Sequence, residues 1–304
     1  MNQGALFVQL VVDGLATGSI YAALALAIVL VNQATGLINF AQGGMAVLGA
    51  YLGMTFGNLA IPAVGPVAGI TIGIVASVIA SFVIGALVER FLMRRFQGGD
   101  PDTAVVATIG LLTLITGLCG LIWTYNYLPY PFYFSAGLSF RIGDIAIDVW
   151  SLTTFITILV LMGLLQALFR GTKLGLGLRA VADNPRSAAL SGLRVGTLLM
   201  IGWGLAAALG SVAGVLVAVK SQLIPGMFDA ALVYALAAVI IGGLDSPVGA
   251  VVAALGIAVL ENLAGTYLDW VGHDLKIAVP FVLIFIVLIL RPQGLFGRKS
   301  VVRV

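Results

Sequence analysis

Long apolar stretches separated by brief polar ones make up this chain, and their lengths predict its elements. The run "AVGPVAGITIGIVASVIASFVIGALV" over 63–88 lacks the every-other-residue alternation of a membrane barrel strand. About 20 apolar residues in helical form cross the roughly 30 Å of bilayer hydrocarbon. Only a helix or a closed barrel satisfies its own backbone there. The pattern therefore predicts helices over 5–31, 43–60, 63–88, 103–125, 149–170, 196–219 and 276–290, with a further apolar segment over 230–268 interrupted in its middle. The expected architecture is all-α and polytopic, with eight or nine transmembrane helices depending on that interruption, one or two of them broken.

Composition strengthens this reading. With 61% hydrophobic and 9% charged residues and a mean hydropathy of +1.15, the chain is far more apolar than a water-soluble core requires. No polar stretch is long enough for an appended soluble domain, so residues 1–304 read as a single transmembrane domain. The opening "MNQGALFVQLVVDG" has no basic n-region and is expected to be a first span rather than a cleaved signal. The lone Cys119 sits in an apolar run and is expected to act as a small buried hydrophobe, leaving no disulfide and no thiolate metal site. Lipid is the expected surrounding; no nucleic-acid partner is expected.

Charge supplies orientation. Arg90, Arg94 and Arg95 follow the third run, while Arg170, Lys173, Arg179, Arg186 and Arg194 follow the fifth. Arg291, Arg298, Lys299 and Arg303 close the chain, leaving only Arg141, Lys220 and Lys276 for the opposite side. By the positive-inside rule the larger group marks the cytoplasm. On the other face, Tyr125, Tyr127, Tyr130 and Tyr133 with Phe132 and Phe134 suit an interfacial belt. The stretch "SFRIGDIAIDV" predicts a short hairpin around Gly143 and Asp144. That region reads either as an anchoring loop or as a docking surface for an external partner.

The exception to the apolar texture is "GLGLRAVADNPRSAALSGLRVG" at 175–196, within the cytoplasmic segment 171–195. Asn184 followed by Pro185 marks a helix start, because the Asn oxygen caps free amides and Pro fits the first helical position. Gly192 suits the left-handed residue that closes a helix. Between them a helix of about two turns is expected, roughly 10 Å long and too polar to span. Its Ala188 and Ala189 would allow close approach of another surface. A helix plugged into a partner's groove and a solvated connector both fit.

Two interruptions are candidates for a solute path, since polar or unwound backbone at membrane depth is tolerated only when buried in protein or lining a cavity. "NQATGLINFAQGG" at 32–44 offers Asn39, Gln42 and Gly43, and "GGLDSPVG" at 242–249 offers Gly242, Gly243, Asp245 and Ser246. Each follows an Ala/Leu/Val run and precedes a small-residue helix, a weak internal repeat. Ordinary interfacial turns are the alternative. Asp13 and Glu261 lie within or near apolar runs, where a charge costs about 2.5 to 3.5 kcal/mol at the bilayer centre. A paired structural role or a part in solute or helix contacts is open for both, and for Asp245.

Four stretches together resemble permease subunits of bacterial ABC importers for branched-chain amino acids: "TGLINFAQGGMAVLGAY" (35–51), the loop from Gly175 to Val195, "IPGMF" (224–228) and "AAVIIGGLDSPVGA" (237–250). In that family the loop helix is the coupling helix, seated in a groove of a cytoplasmic ATPase subunit. The resemblance assigns this role to Arg179, Asn184, Pro185, Ala188, Ala189 and Gly192. It implies a translocation path for branched-chain or related amino acids in the bacterial cytoplasmic (inner) membrane. The implied partners are a second permease subunit, cytoplasmic ATPase subunits carrying ATP and Mg, and an extracytoplasmic solute-binding protein. The family usually has Asn-Phe-Ala-His-Gly-Glu where this chain has Asn39, Phe40, Ala41, Gln42, Gly43 and Gly44, so a titratable pair is missing.

No catalytic constellation accompanies these features. The single His273 lies beside Asp274 with no second His or Cys nearby, and a solvated histidine is expected. "GLFGRKS" at 294–300 mimics only the end of a phosphate-binding G-x-x-x-x-G-K-S/T loop. No cofactor is expected on this chain, and no enzymatic activity. An ion-coupled secondary transporter using Asp13 or Glu261, or a channel for a small polar solute such as an amide or urea, are the alternative functions.

Overall fold

The structure is a computed structural model that describes residues 3–96, 101–131, 138–268 and 275–297. His273, Phe132, Tyr133, Phe134, Arg298, Lys299 and Arg303, weighed above, lie outside the described residues. The helices are α1 (Gln3–Thr35), α2 (Gln42–Val64), α3 (Pro66–Phe91), α4 (Pro101–Trp123), α5 (Val149–Gly171), α6 (Lys173–Asp183), α7 (Pro185–Leu190), α8 (Val195–Ser221), α9 (Asp229–Gly242), α10 (Pro247–Tyr267) and α11 (Ala278–Leu290). A 3-10 turn covers Met93–Phe96, and strands β1 (Ser139–Ile142) and β2 (Ile145–Asp148) form a hairpin. Among the described residues seven helices are long and apolar enough to cross a membrane; α9 and α11 are apolar but shorter. The segment expected to be broken near its middle divides at 243–246, between α9 and α10.

Why these residues make membrane helices is clearest in α3. Its buried positions include Gly73, Ser77, Ser81, Gly85 and Glu89, while Val75, Ile79, Val83 and Leu87 are exposed. Both series advance four residues at a time, so small and polar groups occupy one face and large apolar groups the other. This is the reverse of a soluble helix and suits one whose solvent is lipid. The small face lets α2, α3 and α8 approach closely. A Cβ added to Gly73 would lie 2.7 Å from the Cα of Gly57, and one added to Gly49 would lie 2.6 Å from the Cα of Ser211. Ser77 and Ser211 hydroxyls meet at 3.0 Å inside this contact. Trp123 of α4 donates its indole N–H to Thr55 of α2 at 2.8 Å and stacks on Tyr51. Cys119 is buried, as its apolar setting predicted.

Two compact units emerge, one of residues 1–29, 136–164 and 233–304, the other of 30–135 and 165–232. Three of their four boundaries fall inside helices, in α1, α5 and α9. The second unit contains the α2, α3 and α8 core together with α6 and α7. The first holds the hairpin, whose register pairs Ile142 with Ile145 and leaves Gly143 and Asp144 as the turn. Gly143 has a φ of +61°, as a two-residue hairpin turn with Gly in its first central position requires. The Gln9 side chain accepts from the Ala146 amide at 2.9 Å and donates to its carbonyl at 3.1 Å, continuing the hydrogen bonding of β2.

Candidate coupling loop and helix breaks

The loop at 171–195 is built from two short helices rather than one. Thr172 starts α6, its hydroxyl oxygen accepting from the Gly175 amide at 3.0 Å. One face of α6 is buried through Gly175, Gly177, Leu178 and Val181. Asn184 then serves both helices. Its amide closes α6 on the Ala180 carbonyl at 3.1 Å, and its side-chain oxygen caps α7 by accepting from the Ser187 amide at 3.0 Å. Pro185 occupies the first position of α7, as predicted. Gly192 has the expected left-handed φ of +83°. The helix closes in a Schellman pattern, with Leu193 N–H on the Ala188 carbonyl at 3.1 Å and Gly192 N–H on the Ala189 carbonyl at 3.0 Å.

The paired alanines differ from the sequence expectation. Ala188 is only 4% exposed and sits in a cluster with Val181 and Leu199, flanked by Leu193, Val195 and Leu198. Its small size seats α7 on its own chain. Ala189 is exposed, as are Pro185, Arg186 and Ser187, and beside them Leu190 is 91% exposed. Leu190 was missed in the sequence, although a lone leucine at the end of a polar helix was a visible signal. Arg179 is half-buried on α6 with its Nε enclosed and without a hydrogen-bond partner.

At the first break, 36–41, the polar groups turn on one another. Asn39 and Gln42 are both fully buried. The Asn39 side-chain amide donates to the Gln42 side-chain oxygen at 3.2 Å, and the Asn39 side-chain oxygen accepts from the Ala41 amide at 3.0 Å. Gln42 Nε2 reaches the Ala206 carbonyl of α8 at 2.9 Å, and Phe40 N–H the Thr108 hydroxyl of α4 at 3.3 Å. These side chains satisfy the unwound backbone and anchor it to neighbouring helices. Asn39 and Gln42 thus face protein in this structure rather than an open path, and Gly43 lies against Phe228 and Leu232.

At the second break Ser246 caps α10 through the Gly249 amide at 3.0 Å, with Pro247 in the first helical position. The C-terminal end of α9 is capped from far along the chain. Leu295 N–H donates to the Ile241 carbonyl at 2.8 Å, and Phe296 N–H to the Gly242 carbonyl at 3.1 Å. The approach is close enough that a Cβ on Gly243 would lie 2.6 Å from the Gly297 nitrogen. The part of "GLFGRKS" that lies within the described residues, 294–297, thus caps α9. Gly242 and Gly243 are buried in this contact, whereas Asp245 is exposed.

The remaining acids have partners. Asp13 is exposed and accepts from Gln9 at 2.9 Å. Glu261 accepts from the Tyr234 hydroxyl at 3.1 Å, and the Tyr234 ring stacks on Tyr21 with centroids 4.5 Å apart. Among the described residues, no group of three or more His, Cys, Asp or Glu is placed to hold a metal ion.

The sequence that builds these apolar spans, two breaks and a doubly capped short helix is similar to those of known proteins. The chain is 28% identical to the high-affinity branched-chain amino acid transport system permease protein BraD of Pseudomonas aeruginosa, covering 98% of both chains. It is 27% identical to the probable branched-chain amino acid transport permease protein LivH of Methanocaldococcus jannaschii, over 90% of this chain and 87% of that one. It is 26% identical to the high-affinity permease protein LivH of Escherichia coli, over 98% of both. A family model described as the branched-chain amino acid transport system permease component matches residues 10–288. With that match extending over most of its length, the chain belongs to this family of multi-pass membrane permeases.

Proposed function

We propose that this chain forms the translocation path of an ATP-driven importer for branched-chain or related amino acids, and that α7 is the element through which ATP hydrolysis elsewhere reaches it. The observation that carries the coupling role is Leu190. A helix fixed on its inner face by Ala188, capped at both ends, and presenting a leucine 91% exposed to water is shaped for a partner. The occupant is an ATPase subunit carrying ATP and Mg, because the basic residues place α7 in the cytoplasm and relatives bear permease names. A second permease subunit and an extracytoplasmic solute-binding protein complete the assembly. The polar side chains of the first break hold the path's wall in shape rather than line it, and at the second break Asp245 is exposed.

The ion-coupled alternative gains no support from Asp13, which is exposed, or from Glu261, which is held by Tyr234. The test is co-purification of the ATPase subunits with the permease from membranes. Leu190→Asp and Ala189→Trp should release them, since a charge or a bulky ring in a close contact costs about 1 to 3 kcal/mol. Full retention with undiminished transport in both variants would make α7 a connector only.

A further inference from the structure

The cytoplasmic end of α3 carries a contact that the sequence did not suggest. Glu89, in the last turn of α3, is fully buried, and the following 3-10 turn folds the chain back so that Arg94 reaches it. Arg94 Nη2 donates to Glu89 Oε2 at 2.8 Å and Nε to Oε1 at 3.3 Å. The same Nη2 donates to the Gly196 carbonyl at 2.9 Å. Gly196 is the second residue of α8, and a Cβ there would lie 3.0–3.2 Å from the guanidinium atoms. The forked, planar guanidinium thus spans a carboxylate on one helix and a backbone carbonyl on another, which a single-centred ammonium does poorly.

That carbonyl belongs to the turn of α8 on which α7 rests. Ala188 of α7 packs against Leu199 of α8, with Val195 and Leu198 alongside. The linkage runs without a gap from α7 through the first turns of α8 and Arg94 to Glu89 on α3. We propose that Arg94 is a positioning residue for energy coupling: it locks the start of α8 to the end of α3, so that displacement of α7 moves the helical core rather than bending the loop. This rests on α7 being the coupling helix.

The experiment uses the whole transporter in vesicles, with its binding protein, and measures solute taken up per ATP hydrolysed alongside ATPase retention. Arg94→Gln removes the lock, and Gly196→Ala presses on it without altering any charge, which keeps the test valid should the uncharged variant fail to accumulate. In both, ATPase subunits should stay bound and hydrolysis continue, while uptake per ATP falls by about five- to tenfold, the scale of a lost coupling contact. Wild-type uptake per ATP in assembled Gly196→Ala would overturn the proposal. Loss of the ATPase from that variant would overturn it too, by showing that the contact only shapes the docking surface. The two levels separate cleanly: if Leu190→Asp retains the ATPase, the coupling reading fails, whereas release by Leu190→Asp with full coupling in Gly196→Ala sinks the lock alone.

Discussion

Ala188 and Ala189 are neighbours in sequence and opposites in environment, one enclosed by its own chain and the other open to water. Bulk at each position should therefore fail differently. Ala188→Trp overpacks the cluster of Val181 and Leu199, at a cost of about 1 to 3 kcal/mol, and should loosen α7 even without a partner. Ala189→Trp should leave the isolated permease unchanged and affect only docking. Limited proteolysis of the loop in purified permease distinguishes them; equal protection in the two variants would contradict the assignment of faces. The two alanines were legible as close-approach residues, but their division of labour was not, because a residue's facing depends on how six-residue α7 lies on α8. Leu190 and the Glu89–Arg94 pair were readable only in part for the same reason: a sequence shows residue types, whereas an ion pair five positions apart forms only because the 3-10 turn reverses the chain.

Elements with strong local signals appear where the sequence put them. α5 was expected over 149–170 and spans Val149–Gly171; the hairpin turn, Asn184, Pro185 and Gly192 all act as their residue types dictate. α6 was not separated from its surroundings, because its start is set by Thr172, a weak punctuation beside the Asn-Pro pair that follows. The role of Asn184 at both ends makes it the joint of the loop. Asn184→Ala should destabilise α7 by about 1 kcal/mol, as loss of a cap typically does. Faster hydrogen exchange at the Ser187 and Ala188 amides would register this, and unchanged exchange would argue that packing through Ala188 alone fixes the helix. The first break illustrates the opposite limit. Asn39 and Gln42 were noticed as polar residues at membrane depth, yet their partners at Ala206 and Met45 could not be named without the fold.

For the whole molecule, Gln9 ties the first turns of α1 to the hairpin. It holds the hairpin between α4 and α5, and the four long apolar helices α1 to α4 lie between them. Four crossings put the start of α1 and the hairpin on one membrane face whatever the orientation, and the positive-inside rule predicts that face to be extracytoplasmic. Reporters after Arg95 and after Ser187 should read cytoplasmic, while reporters before Gln3 and at the Gly143 turn should read extracytoplasmic. Opposite readings for the last two would break the parity, and with it the placement of α7.

The cap on α9 bears on how the protein is made. Ile241 and Gly242 leave the ribosome well before Leu295 and Phe296, the residues that satisfy their carbonyls. Throughout that interval the chain holds an unfinished helix end, its last carbonyls without the partners they have in the folded protein. The break between α9 and α10 therefore cannot reach its final form in the order of synthesis; it waits for the stretch that follows α11. A region that reads as a trailing edge in sequence is the closing step in the assembly of one that precedes it.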